Sequence, residues 1–246
     1  MLTQQRKEFL LNRLASEGRL VAADLSAELA ISADTIRRDL RELAAEGRLM
    51  RVHGGALPLS PTHRPFAERQ GMEAQAKRRL AQAAVSLIRP GMVVLVDGGT
   101  THQQLPEVLP QGLPFTLVTH SPALAAALEG HADIDLILIG GRIFRHSMVA
   151  SGPVAYEALS RLRADLCFLG VTGVQRDMGL TTGDAEEAAL KARMISQSAE
   201  VAVLATDDKL GRTSPWVIAP LTALGMLITC GARPEWLPDT VEHSRA

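Results

Sequence analysis

Two groups of residues have the types and spacing to do chemistry. The first is Asp97-Gly98-Gly99-Thr100-Thr101, set between the apolar run MVVLV and a helical stretch. Glycines there let backbone N–H groups approach an anion, and two hydroxyls and a helix N-terminus add donors, the set that phosphate recognition needs. Asp97 repels phosphate; it suits sugar hydroxyls or the bracing of its own turn. Four further loops follow apolar runs in the same way: Thr119-His120-Ser121-Pro122, Gly140-Gly141-Arg142, Gly170 with Gly173, and Asp207-Asp208-Lys209. Lys209 stands out because the chain holds four lysines against 22 arginines. Each loop also has a plainer reading: a tight turn for the glycines, a solvated side chain for Arg142, a structural hydrogen bond for His120, a surface ion pair for Lys209. Glu187 and Lys191, at i and i+4 in EEAALKARMI, read as a helix-stabilising pair.

The second group lies in SADTIRRDLRELAAEGRLMRVHGG, residues 32–55. Ser32 is placed to cap a helix in which Ile36, Leu40 and Leu43 fall at i, i+4 and i+7. That buried stripe turns Thr35, Arg37, Arg38 and Arg41 outward. Arginine reaches guanine O6 and N7 in a fork that lysine cannot match, and a helix N-terminus favours phosphate. The plainer reading pairs these arginines with Asp34, Asp39 and Glu42. After Gly47, RLMRVHGGAL reads as two short strands around a turn at Gly54-Gly55, carrying Arg48, Arg51 and His53. Residues 1–55 hold nine basic and eight acidic side chains, a net +1, so any positive surface must come from their placement.

The elements that must hold these groups differ in kind. RKEFLLNRLASEG and AADLSAELA read as helices, so residues 20–46 form a helix-turn-helix whose third helix can enter a major groove. ALPLSPTHRPFAERQGM has three prolines and no periodicity, and residues 58–73 read as a linker between a DNA-binding unit, 1–57, and a second unit, 74–246. In the second unit a helix, AQAKRRLAQAAVSLI, leads into MVVLVD, FTLVTH, DIDLILIG, DLCFLGV, VAVLAT and ALGMLIT, alternating with helical segments. Continuous apolar runs of this kind predict a parallel sheet covered on both faces, so the fold class is α/β with an N-terminal winged helix-turn-helix. Open parallel sheets bind ligands outside the carboxyl ends of their strands, where all five loops fall.

With 46% hydrophobic but only 3% aromatic residues, the core must be aliphatic. No apolar run has the length of a membrane span and the first residues lack a signal-peptide pattern, which leads to the expectation of a cytoplasmic protein without membrane partners. Cys167 and Cys230 sit in apolar runs and read as buried thiols, and the seven histidines are scattered, so no metal site is expected.

The segment VAADLSAELAISADTIRRDLRELAAEGRLMRVHGGAL resembles the N-terminal winged helix-turn-helix of the DeoR/GlpR family of bacterial transcriptional repressors, with TIRRDL and RVHGGA as its core. DGGTT, the GG after the third strand, GLTT, EEAALKARMI and DDKLG follow in that family's order, although His120 stands where the family commonly has Asn. The resemblance implies a recognition helix at 33–46 and a wing at 48–57. It also implies a sensor domain with the ribose-5-phosphate isomerase fold, in which residues 97–101 and Lys209 meet a phosphorylated sugar or polyol. The expected DNA-contacting residues are Ser32, Thr35, Arg37, Arg38, Arg41, Arg51, His53 and Gly54. Those expected at the effector are Asp97, Gly98, Gly99, Thr100, Thr101, His120, Gly141, Arg142, Gly170, Gly173 and Lys209. A repressor acting as a homo-oligomer, dimer or tetramer, with no cofactor and no catalytic residue, is the reading that follows. The alternative is a sugar-phosphate isomerase with a DNA-binding appendage, for which Asp97, Asp207, Asp208 or Glu187 would supply the general base.

Overall fold

The computed structural model describes residues 2–58 and 66–246. The chain opens with α1 (Thr3–Glu17), β1 (Leu20–Val21), α2 (Ala22–Leu29), α3 (Ala33–Ala45), β2 (Met50–Val52) and β3 (Gly55–Leu57). Leu10 and Leu14 of α1, Leu25 of α2 and Ile36, Leu40 and Leu43 of α3 close on one another with Leu20, Leu49 and Ala56 as a small aliphatic core. The helical stripe read from the sequence is therefore the packed face. β1 pairs with β3 and β3 with β2, making a three-stranded wing. Its turn lies at His53-Gly54, one residue before the expected Gly54-Gly55. The two glycines have separate duties. Gly54 has φ +79°, and a Cβ on Gly55 would come within 1.8 Å of the Leu20 carbonyl oxygen, closing off the β1–β3 approach.

The expected linker is partly structured. Residues 59–65 lie outside the described residues, but Phe66–Gln70 form a short helix, α4, with Phe66 buried and its N–H donating to the His146 carbonyl at 3.1 Å. One aromatic anchor among prolines has no periodicity to reveal it.

The larger unit continues with α5 (Ala74–Val85), β4 (Val93–Val96), α6 (Leu105–Val108), β5 (Phe115–Thr119), α7 (Pro122–Ala127), β6 (Ile134–Leu138), β7 (Arg142–Phe144), β8 (Val149–Ser151), α8 (Pro153–Ser160) and β9 (Ala164–Leu169). It ends with β10 (Gly173–Gln175), β11 (Gly179–Thr182), α9 (Ala185–Ser196), β12 (Ser198–Leu204), β13 (Trp216–Ala219), β14 (Met226–Thr229) and β15 (Glu242–Arg245). Seven strands form one parallel sheet in the order β15-β14-β12-β9-β4-β5-β6. Alternate residues face opposite layers. Val94, Val96, Leu166 and Phe168 pack with Leu80, Ala84, Leu105 and Leu124, while Leu95, Cys167 and Leu169 pack with Leu159, Leu190 and Met194. The six apolar runs are six of the strands. The seventh, EHSR, is an edge strand whose polar sequence gives no such signal. Two small antiparallel sheets, β10-β11-β13 and β7-β8, stand beside the main one and were not expected. Cys167 is buried and Cys230 only half-buried, against the expectation of two buried thiols.

Candidate functional site

On α3, Ser32 caps as expected: its Oγ accepts from the Thr35 N–H at 3.2 Å. The two faces of the helix then separate charge. Asp39 is fully buried and paired with Arg6 of α1, while Glu42 and Glu46 both pair with Lys7 of α1, at 3.0 and 2.8 Å. Asp39 is thus turned inward, and Glu42 and Glu46 are drawn toward α1. Arg38 and Arg41 are exposed and have no ion pair among the described residues; Arg37 keeps one, to Asp34 at 2.8 Å. Arg51, His53 and Gly54 are exposed on the wing. Arg37, Arg51, His53 and Gly54 border one cleft of about 350 Å³ between α3 and the wing. A segment of net +1 presents a cationic ridge because α1 takes up the negative charge.

The second site lies where β4, β9 and β12 end. Asp97 is buried and its two carboxylate oxygens accept four hydrogen bonds. These come from the Gly98 N–H at 2.7 Å, His120 Nε2 at 2.8 Å, the Gly170 N–H at 2.8 Å and Lys191 Nζ. Burial alone would push the Asp97 carboxyl up, but the Lys191 ammonium and the His120 bond hold it well below the usual carboxylate range. The reciprocal holds for Lys191: burial works against its charge, and Asp97 and Glu187 raise it above the ordinary lysine value. Asp97 therefore braces the loop and has no lone pair left to meet a ligand or to take a substrate proton.

Around that brace the loop Gly98–His102, Gly170, Thr182, Glu187, Lys191 and Lys209 line an inner cleft of about 40 Å³. Arg69 of α4, Ser147, Thr172 and Glu187 also border an outer cavity of about 300 Å³ reaching to Phe144, Asp184 and Ser214. That volume is at the lower end of small-molecule sites. A Cβ on Gly98 would come within 2.1 Å of Val149 Cγ1, so only glycine lets the loop lie there. Lys77 of α5 is buried, with its Nζ 2.6 Å from the Arg69 carbonyl, and it borders a third pocket together with Lys209 and Arg69. Burial, and then the nearby Arg69, Lys77 and Lys191, push Lys209 down to about 8 against the pull of Asp208. Lys77 is lowered for the same reasons, burial first and Arg69 next. Cations crowd one another here, and an anion would relieve them.

Residues 6–62 match the DeoR-like helix-turn-helix domain, and residues 72–230 match the DeoR C terminal sensor domain. The chain belongs to the DeoR family. It is 36% identical to the HTH-type transcriptional regulator GlpR of Haloferax volcanii, over 94% of this chain and 91% of that one. It is 29% identical to the glycerol-3-phosphate regulon repressor of Escherichia coli K12, over 87% of this chain and 85% of that one. Among solved structures, ribose 5-phosphate isomerase A of Methanocaldococcus jannaschii aligns at a TM-score of 0.38 and 20% identity, covering 56% of this chain and 54% of that one, too loosely to bear on function. This DeoR-family chain is a DNA-binding transcriptional regulator with a sensor domain for a small-molecule effector, and not an enzyme.

For the DeoR-family sensor, the structure gathers Gly98, Gly99, Thr100, Thr101, Gly170 and Lys209 at one cleft, as the sequence reading expected. Six expectations need correction. Asp97 lies behind the cleft wall, saturated. His120 is buried with one ring nitrogen on Asp97 and the other 2.8 Å from the Ala150 carbonyl, so it braces Asp97 and does not border the cleft. Gly141 packs on the Ser151 carbonyl, Arg142 is exposed and paired with Glu186 at 2.7 Å, and Gly173 abuts Arg212; none of the three borders the cleft. Lys191, read as the partner of Glu187 on its helix, instead reaches Asp97 and the Gly170 carbonyl. The sequence reading also missed Arg69, Lys77 and His102. The scarcity of lysine was a usable signal: three of the four lysines converge here. Among the described residues no helix is long and apolar enough to cross a membrane, and no group of His, Cys, Asp or Glu is placed to hold a metal ion.

Proposed function

We propose that the chain is a repressor that holds operator DNA as a homo-oligomer, dimer or tetramer, and releases it when a phosphorylated sugar or polyol enters the cleft at the end of β4. In this reading 1–57 contacts DNA through Ser32, Thr35, Arg37, Arg38, Arg41, Arg51, His53 and Gly54. Residues 74–246 sense, and 58–73 transmit between them. The protein acts in the cytoplasm, without a cofactor. The observation that carries the reading is the glycine-threonine loop facing Lys209, beside Arg69 and Lys77, with Lys209 and Lys77 held below their ordinary pKa by burial and by neighbouring cations. A phosphate there gains backbone N–H groups, hydroxyls and ammonium groups together. The E. coli relative's name, with a phosphorylated polyol and repression in it, supports both halves.

Transmission has a physical route. The chain leaves the wing at Leu57, and Pro58 accepts from the Thr213 N–H at 3.2 Å. It re-enters the described residues at α4, whose Arg69 borders the inner cleft, the outer cavity and the third pocket. A ligand that moves Arg69 therefore moves the connector, and a coupling of about 1–3 kcal/mol gives roughly 5–150-fold release. An isomerase reading has lost one of its four candidate bases, because Asp97 is saturated. The test is a thermal-shift screen of phosphorylated sugars and polyols followed by release of labelled operator DNA. A ligand that raises the melting temperature and lowers DNA affinity is expected; ligands that stabilise the protein with no effect on DNA would refute the coupling.

A further inference from the structure

His102 takes no part in the hydrogen bonds that brace Asp97. It is 1% exposed and borders the inner cleft beside Thr101, Lys191 and Lys209. Its Nδ1 lies 2.9 Å from the Gly98 carbonyl oxygen. A carbonyl only accepts, so Nδ1 carries the proton. The second nitrogen, Nε2, is buried and has no hydrogen-bond partner among the described residues. Burial, reinforced by Lys191 and Lys209, pushes the ring down to about 4 against the pull of Asp97 and the Gly98 bond. At neutral pH the imidazole is then uncharged, and Nε2 offers a lone pair rather than a proton. A buried acceptor left without a donor is costly. The neighbouring ammonium of Lys191 is engaged with Asp97 and the Gly170 carbonyl, and a phosphate dianion has no proton to give.

We infer that His102 is a specificity-determining residue of the effector site, its Nε2 accepting a hydrogen bond from a hydroxyl group of the ligand. The inference rests on the effector reading above and narrows it. The ligand carries a free hydroxyl close to its anionic end, so the site selects polyol and sugar phosphates over phosphate alone and over esters without hydroxyls. Thr100 and Thr101 can serve either part of the ligand; a neutral, acceptor-only nitrogen can serve only a donor.

The full-length protein is titrated at pH 7.5 with inorganic phosphate, and with glycerol 3-phosphate, ribose 5-phosphate and sorbitol 6-phosphate, each beside the straight-chain alkyl phosphate of equal carbon number. At least one hydroxylated ester should bind about 5–150-fold more tightly than its alkyl counterpart, the span of leaving one buried acceptor unpaired. His102→Leu should remove that much of the preference while leaving inorganic phosphate and the alkyl esters unchanged. His102→Gln, which keeps an acceptor, should recover part of it. An undiminished preference in His102→Leu overturns the inference, as does the absence of any preference in the wild type. Loss of phosphate binding in both variants also overturns it, by showing that the ring only shapes the loop. Binding of phosphates without dependence on His102 sinks this inference alone; failure of phosphate and of every ester to bind sinks the effector reading with it.

Discussion

Removing the Asp97 carboxylate should be among the most damaging single changes available to this chain. Asp97→Ala strands the Lys191 ammonium, whose side chain is only 7% exposed, and leaves the Gly98 and Gly170 N–H groups and one His120 nitrogen without their acceptor. Breaking a buried ion pair by removing one partner costs about 3–5 kcal/mol, because the remaining charge stays desolvated. For a sensor domain of this size each kcal/mol moves the melting temperature by roughly 2–4 °C, so the drop should be about 6–20 °C. The assay is reversible thermal or urea unfolding followed by circular dichroism, with Asp34→Ala as the comparison. Asp34 also pairs with a cation, Arg37, but its side chain is 89% exposed, and the loss there should be below about 1 kcal/mol. The decisive variant is Asp97→Ala with Lys191→Met. Removing the stranded charge should return more than half of the lost stability, a coupling that a double-mutant cycle reads directly. If Asp97→Ala melts within about 3 °C of the wild type, or the double variant is no more stable than the single one, the buried pair is not what holds the loop.

Three further outcomes are expected. Arg38→Ala should weaken specific operator binding by about 1–3 kcal/mol and leave melting temperature and effector binding unchanged, since Arg38 is exposed and without an ion pair among the described residues; an unchanged footprint removes it from the contact set. Effector affinity should fall as pH rises through about 8, by at most about tenfold per unit, because free Lys209 loses its proton there while the anion-bound form keeps it; calorimetry across pH 7–9.5 measures this, and Lys209→Arg should flatten the profile because guanidinium stays charged. Gly98→Ala should abolish the DNA-release response by forcing the loop off Val149, and adding Val149→Ala should restore it, since the 2.1 Å approach is to that side chain's Cγ1; a response intact in the single variant would place the effector elsewhere.

Local order in the sequence determined much of this protein. The stripe Ile36, Leu40, Leu43 has the helical period and packs as it reads, Ser32 caps because its side chain reaches an N–H three residues on, and the six apolar runs became strands because a sheet buried on both faces needs nothing else. The five loops follow from that sheet, since its strand ends share one edge. What the tertiary structure decided are the partners across long separations. Lys191 stands four residues after Glu187 and still bonds to Asp97, 94 positions earlier, because α9 packs on β9 and β9 pairs with β4, which ends in the buried carboxylate. Asp39 and Arg38 are adjacent in the chain, yet α1 supplies Arg6 to one and leaves the other to solvent, which creates the cationic ridge. Phe66 and Arg69 lie in a proline-rich stretch with no period, so only their contacts reveal that the connector touches the cleft. Periodicity encodes which face of an element is buried; it carries no record of which distant charge will meet it there, and that choice made both sites.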